Sequence, residues 1–397
     1  MLLTTSYVQP GFAAEQLTSL ATRPNWSELD SFQGRITREV FLERLDRLYA
    51  PNGAWRETLS IGDDHVLITT SEGAEPYRLA FATSADEAES PARTWRTVDE
   101  LIAISTPEKP LKGWRIALDP GHLGGKYGPM EGRSWQIGDG PRVQEGDLVL
   151  EVAMRLKPQL EALGAEVFLV RESDQPLTQL RPDELLEVAE ERLRKRAGAD
   201  TPPPSVDEIR RTAELLFYRV AEIHARADAI NAWQPDFVLC LHYNATDFPD
   251  YANPTLVEGN HLHVLVNGAY SRGELAYDDI RLGMLLKLLS GTDRTEIALA
   301  AALAEGLAAS TALPPFTYQG SNAIGVDDEP YVWGRNLLAN RLYACPAIFL
   351  EPYVLNSKEV YPAILQALND PESDNITLYK KYTHGVIRGL QGLVKQH

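Results

Sequence analysis

Three apolar runs in this sequence each end on a side chain that can hold a metal ion or move a proton. "RIAL" is followed by Asp119, Pro120, Gly121 and His122; "FVLCL" by His242, Tyr243 and Asn244; "AIFL" by Glu351. A fourth group, Glu145, opens the apolar-periodic run "EGDLVLEVAMRLK", 23 residues after His122. Two imidazoles and a carboxylate are a ligand set for a catalytic zinc ion, which keeps one position open. A further carboxylate beside such an ion can take and return a proton. That division of labour makes His122, Glu145 and His242 the candidate ligands of one Zn2+ and Glu351 the candidate general base and acid. Spacing alone is a weak signal, because the four groups are far apart in sequence and no HExxH helix is present.

The elements that must position them read as strands alternating with helices. "GDLVLEVAMRLKPQLEALG" repeats Leu148, Val152, Leu156, Leu160 and Leu163 at helical spacing, with Gly164 as its stop and Pro158 as a possible kink. "EVFLV" and "HLHVLV" are further strand candidates, and "TEIALAAALAEGLAAS" is an Ala-rich helix. The alternation predicts an α/β domain over 111–397: a mainly parallel twisted sheet with helices on both faces. In open sheets of this kind the working groups gather at the carboxyl ends of the strands. Ahead of it, residues 1–110 read as an arm over 1–30, a small α+β accessory domain and a linker. The accessory domain holds the helix "ITREVFLERLDRLYA" and three short strands, "WRETLSI", "HVLITT" and "YRLAFA".

Composition narrows the partners. The chain has 397 residues, 38 Lys plus Arg and 56 Asp plus Glu, for a formal charge of −18. Nucleic-acid binding needs a basic footprint, so that class is excluded, and an anionic polymer would not be drawn in by bulk attraction. No apolar run reaches 18 residues, so no transmembrane segment is expected. Met1–Gln16 has no Lys or Arg and is interrupted by Pro10 and Gly11, which is a poor signal peptide. Cys240 and Cys345 both sit in apolar runs and read as buried thiols.

At the candidate ligands the chain resembles the zinc-dependent N-acetylmuramoyl-L-alanine amidases of the amidase-3 family. The resemblance is carried, in order, by "IALDPGHLGG", "EGDLVLEVAMRLK", "GAEVFLVRESD", "RADAINAWQPDFVLCLHYNA" and "CPAIFLEPYVLNS", and covers about residues 114–395. It implies one zinc ion on His122, Glu145 and His242, a catalytic Glu351, and hydrolysis of the amide between N-acetylmuramic acid and L-alanine in peptidoglycan or a muropeptide. It also implies a cell-envelope location, periplasmic or secreted. The alternatives are a zinc peptidase cutting within the stem peptide, and a non-catalytic cell-wall binding protein. Two departures border the metal: Leu123 follows the first histidine, and the loop to Glu145 is long and carries Trp135; apart from these, a helical insertion fills 178–222. Another insertion follows "HVLVNGAY".

Other residues carry two readings each. Asp119 orients a ligand histidine, or only closes a turn with Pro120 and Gly121. Asn244 bonds substrate, or its own loop. Arg226 pairs with a carboxylate inside the domain, or contacts substrate. Glu131 competes with Glu145 as ligand but lacks the following helix. His261 and His263 form an H-x-H on one strand face, a second metal site or ordinary strand residues. His65, His224 and His384 stand outside any motif, and Asp327–Glu329 reads as a solvated loop. The insertion 178–222 is a surface helix pair, or a regulatory element that covers the zinc or binds a partner.

Overall fold

A computed structural model describes residues 17–71, 74–88, 93–197, 201–248, 250, 253–326, 328–371 and 373–395. The N-terminal stretch 1–16 and Asp327 of the acidic run lie outside the described residues. In chain order the first elements are α1 (Arg38–Arg44), β1 (Leu59–Ile61), β2 (His65–Ile68), β3 (Tyr77–Ala80), α2 (Val98–Ile104) and β4 (Arg115–Pro120). Next come β5 (Ser134–Trp135), β6 (Val143–Gln144), α3 (Glu145–Ala162), β7 (Glu166–Leu169), α4 (Leu186–Arg196), α5 (Val206–Leu216) and α6 (Glu222–Trp233). β8 (Phe237–Leu241), β9 (Leu262–Val266), α7 (Arg272–Leu275), α8 (Asp278–Ser290) and α9 (Thr292–Thr311) follow. The chain ends through β10 (Ile324–Gly325), β11 (Val332–Gly334), α10 (Leu338–Leu342), β12 (Ala347–Pro352), α11 (Tyr361–Asn369) and α12 (Thr377–Lys395).

Two compact units result. The smaller joins residues 1–92 to 270–289, and the larger joins 93–269 to 290–397. In the smaller, β1, β2 and β3 form the antiparallel meander read from the sequence. Two features there differ from that reading. The segment 1–30 is not loose throughout, because Trp26–Phe32 is a 3-10 helix that buries Leu29 and Phe32. The insertion after "HVLVNGAY" supplies α7 and most of α8 to this same unit.

The stretch read as a linker up to residue 110 packs on the larger unit from Arg93 onward. The reason is local. Arg96 is forked onto buried Asp236 at 2.8 and 2.5 Å, and the Trp114 indole donates to the Leu101 carbonyl at 2.9 Å. Thr97 and Glu100 close a capping box that starts α2 between these anchors.

The larger unit is built on a seven-stranded sheet in the order β10-β11-β9-β12-β8-β4-β7. β7, β4, β8 and β12 run parallel. β9 is antiparallel to β12 and parallel to β11, so the sheet is mixed with mostly parallel pairs. Its central strands are buried on both faces, as near-continuous apolar runs require. Ala117, Val238, Cys240, Ala347 and Phe349 face Ala227 and Ile230 of α6 and Ala339 of α10. Alternate residues point the other way, where α3 and α9 pack. Cys240 and Cys345 are both buried thiols. No helix among the described residues is long and apolar enough to cross a membrane.

α3 runs through Pro158 and stops at Gly164, whose φ of +102° is the left-handed cap the sequence called for. α9 and α12 touch through glycines. A Cβ on Gly306 would sit 2.3 Å from the Gly385 carbonyl oxygen and 2.4 Å from the Gly389 nitrogen. That approach matters beyond packing, because α12 carries Tyr382, whose hydroxyl donates toward the carbonyls of Leu350 (3.0 Å) and His242 (3.1 Å). Gly306→Ala must push two helices apart, and overpacking of this kind costs about 1–3 kcal/mol. We expect urea unfolding to show that loss. A variant as stable as the wild type would mean that the helices separate freely.

Candidate metal centre

The residues of the site come from strand ends and one helix start. His122 lies two residues beyond β4, His242 directly follows β8, Glu351 is the fifth residue of β12, and Glu145 is the first residue of α3. His122, Glu145 and His242 each offer a ligand atom, and these atoms lie within 4.8 Å of one another. His122 Nε2 is 3.3 Å from Glu145 Oε2, and His242 Nδ1 is 3.2 Å from Glu145 Oε1. Ligands of one tetrahedral zinc ion stand ~3.3 Å apart, so the donor set fits. Two further observations agree. Glu145 Oε2 is buried with no hydrogen-bond partner among the described residues. Gly121 leaves room for the His242 ring, because a Cβ there would lie 2.1 Å from His242 Cε1.

His122 adopts φ +56°, a left-handed backbone that a non-glycine residue seldom takes. Arg226 holds it there. Its guanidinium donates to the carbonyls of His122 at 2.9 Å and Pro120 at 2.8 Å, and to Asp119 and Glu222, both at 2.9 Å. Arg171, just past β7, grips the same turn from another side, donating to Pro120 (3.0 Å), Gly121 (3.1 Å) and Gly146 (2.7 Å). The Gly146 carbonyl belongs to the first turn of α3, so Arg171 ties the His122 turn to the helix that carries Glu145. Burial and the neighbouring Arg226 push Arg171 down to about 9, still protonated at neutral pH.

Electrostatics inside the pocket are strongly coupled. Burial disfavours a charge on His122, but Glu145 and Glu131 outweigh it and hold the imidazole up at about 9. Burial likewise opposes ionisation of Glu145, yet His122, His242 and Arg133 keep it well below the usual carboxylate range. Glu351 goes the other way. Burial, reinforced by the charge of Glu145, pushes its carboxyl up to about 7 despite His242, Arg133 and His122. Two carboxylates in one pocket are thus driven apart, one ionised and one poised near neutrality.

The residues that carried two readings have the following partners in the structure. The Asp119 carboxylate accepts from Arg226 and from the Tyr343 hydroxyl (2.5 Å), so it acts on the His122 turn through Arg226. The carboxylate facing the second ring nitrogen of His122 is instead Glu131, 3.7 Å from Nδ1. Glu131 also accepts from the Leu123 and Gly124 amides at 3.0–3.2 Å, and is not in the ligand cluster. Asn244 serves its loop: its Oδ1 accepts from Ala245 N (2.8 Å) and its amide meets His261 Nε2 (2.8 Å). His261 and His263 pack around Phe316, and His263 Nε2 lies 3.1 Å from the Tyr318 hydroxyl.

The helical insertion is anchored at its far end. The Phe217 ring lies 5.6 Å from Tyr127 in the His122–Glu145 loop, and Glu222 accepts from Arg226 and from Thr178 N. Its last residues therefore belong to the support of the metal turn, while α4 and α5 pack against each other. Sequence reasoning passed over Arg171, Arg133, Tyr343 and Tyr382. Arg171 was within reach of the strand-end test, since it follows "EVFLV" as His122 follows "RIAL".

Residues 116–364 match the family model described as N-acetylmuramoyl-L-alanine amidase, amidase-3. The chain is similar to the "Probable cell wall amidase LytH" of Staphylococcus aureus, 36% identical over 81 residues, which is 20% of this chain and 26% of that protein. The match thus spans about a quarter of the length of those curated relatives. Among solved structures it is similar to the N-acetylmuramyl-L-alanine amidase Ami1 of Mycobacterium smegmatis. There the identity is 18%, covering 72% of this chain and 99% of that one, with a TM-score of 0.37. It is also similar to the CwlD amidase of Clostridioides difficile, solved in complex with the GerS lipoprotein. That pair is 14% identical, covering 71% and 98%, with a TM-score of 0.39.

An unfolded histidine titrates near 6.5, whereas His122 is held at about 9 in the metal-free fold. The fold favours the protonated ring, so this stabilisation is complete below about pH 6.5 and is lost as pH rises through about 9. It amounts to at most about 3 kcal/mol. Denaturant midpoints of the metal-free protein should therefore fall from pH 6.5 to 9 more steeply than those of His122→Gln. Parallel curves would reject the charge assignment.

Proposed function

The chain belongs to the N-acetylmuramoyl-L-alanine amidase family, and from that premise we propose that it is a zinc hydrolase. Its bond is the amide between the lactyl group of N-acetylmuramic acid and L-alanine, in peptidoglycan or a muropeptide. The observation that carries the reading is the convergence of two imidazoles and one ionised carboxylate beside a second carboxylate held near neutrality. His122, Glu145 and His242 would hold the ion. When bound, it supplies a Lewis-acid centre for water and for the substrate carbonyl.

The chain's own groups do the rest. Glu351, half-buried and raised to about 7, is suited to take a proton from the attacking water and return it to the leaving L-alanine nitrogen. Glu131 faces the Nδ1 edge of the His122 ring at 3.7 Å and Gly121 leaves room for that of His242. His122 must lose a proton to act as a ligand, so metal binding at pH 7 releases protons. A hydrolase of wall polymer acts in the cell envelope, periplasmic or secreted, and we assign this chain there. With a net charge of −18, substrate recognition is local to the metal groove.

Glu351→Gln should keep one zinc per chain and lose about 10²–10⁴ in kcat; wild-type turnover would end its assignment. Mass analysis of a muropeptide digest decides the bond. Stem peptides with a free L-alanine N-terminus support the amidase, shortened stems the peptidase alternative. No release from a zinc-loaded protein would leave a wall-binding role.

CwlD is a neighbour solved with a partner, and the helical insertion is where we place a regulatory contact in this chain. Excising 182–213 with a short Gly-Ser bridge spares Phe217 and Glu222. Turnover should rise if the insertion restrains the site. Unchanged turnover in a folded, zinc-loaded variant would reject that role.

A further inference from the structure

The long loop between His122 and Glu145 folds into the β5–β6 hairpin, paired through Ser134–Gln144 and Trp135–Val143. Trp135 sits at its base with its ring centroid 5.7 Å from Phe248 and 5.9 Å from Tyr361. The hairpin and the segment after β8 enclose a cavity of about 760 Å³. Trp135 and Phe248 line it together with Ser134, Gln136, Arg142 and Asn253. The cavity shares Gly132, Trp135 and Phe248 with a narrow cleft that reaches Arg133 and Glu145. It is therefore continuous with the metal centre, and no step of the proposed reaction uses it.

Its chemistry selects between the two arms of the substrate. A stem peptide carries carboxylates, which call for an excess of cations. Here the single Arg142 is matched by Asp139 on the same wall, and its Nη1 already donates to Ser134 Oγ at 3.1 Å. What remains is an aromatic pair and neutral hydroxyl and amide groups. Aromatic surface suits the C–H faces of a pyranose ring, and neutral donors and acceptors suit hydroxyls and N-acetyl groups. The volume lies in the range of pockets that take ligands of a few rings.

We propose that this cavity is a glycan subsite. It holds the N-acetylated amino-sugar units next to the muramyl residue whose amide is cut, with Trp135 and Phe248 as its aromatic wall. The proposal rests on the amidase reading for its substrate. Sugar binding itself can be tested without turnover.

Isothermal titration of the zinc-loaded protein with peptide-free strands of alternating N-acetylglucosamine and N-acetylmuramic acid is the first arm. Binding by the wild type, weakened about tenfold or more by Trp135→Ala, is expected. Asn253→Ala removes an amide without disturbing the aromatic pair, and should weaken binding in the same direction if Trp135→Ala does not fold. The second arm compares KM on a peptide carried by a glycan chain with KM on a muramyl monosaccharide peptide. Trp135→Ala should raise the first about tenfold more than the second. Absence of strand binding by the wild type, equal losses on both substrates, or a loss that follows stem-peptide length would each overturn the subsite. Strand binding without turnover on either substrate would keep the subsite and remove the amidase reading.

Discussion

Everything at the His122–Glu145–His242 cluster depends on two buried guanidiniums that hold one turn of backbone. Arg226 and Arg171 together donate to the carbonyls of Pro120, Gly121 and His122, and Arg171 adds the first turn of α3. These are neutral oxygens at and just beyond the end of β4. Asp119 and Glu222 neutralise Arg226, so the cluster is a buried ion network. Such a network adds little net stability against an apolar core, but removing one member leaves an uncompensated charge at a cost of about 3–5 kcal/mol. Its value here is geometric: it fixes a left-handed His122 against the helix that presents Glu145.

The pocket's electrostatics follow from that geometry. Glu145 is held between two imidazoles, with Tyr243 N donating to its Oε1 at 3.1 Å. Glu351, on the neighbouring strand, meets burial and the Glu145 charge together and is raised. One strand further out, His263 lies opposite Glu351 in the antiparallel register. Burial drives that imidazole down to about 3, with His261 and Arg335 acting in the same direction. The strand neighbour of Glu351 on the β9 side is therefore an uncharged imidazole. Glu145 Oε2, close to the His122 ring but without a hydrogen-bond partner among the described residues, is the oxygen left for a divalent ion.

Support reaches the centre from outside the sheet as well. Tyr382 on α12 holds the carbonyls of His242 and Leu350, and close glycine contacts set the distance of α12 from α9. The hairpin that carries Trp135 arises from the loop between two ligands. A longer connection there changes the groove without disturbing the strand ends. The cluster geometry and the groove around it are thus set by different segments.

The order in which strands end on chemical groups is legible from the residues alone. Each of His122, His242 and Glu351 ends an apolar run, and in a parallel sheet strand ends converge whatever the loops do. Equally legible are the α3 period and its Gly164 stop, because both are local properties. The long-range partners are set by the folded arrangement. Asp119 turned to Arg226 and Tyr343, 107 and 224 residues away, while Glu131 turned to His122. Residues 93–110 packed on the large unit because Asp236, far along the chain, meets Arg96. Periodicity reports which face of an element is apolar. It carries no record of which distant charge a buried polar group will find, and that pairing is what low-dielectric burial makes decisive.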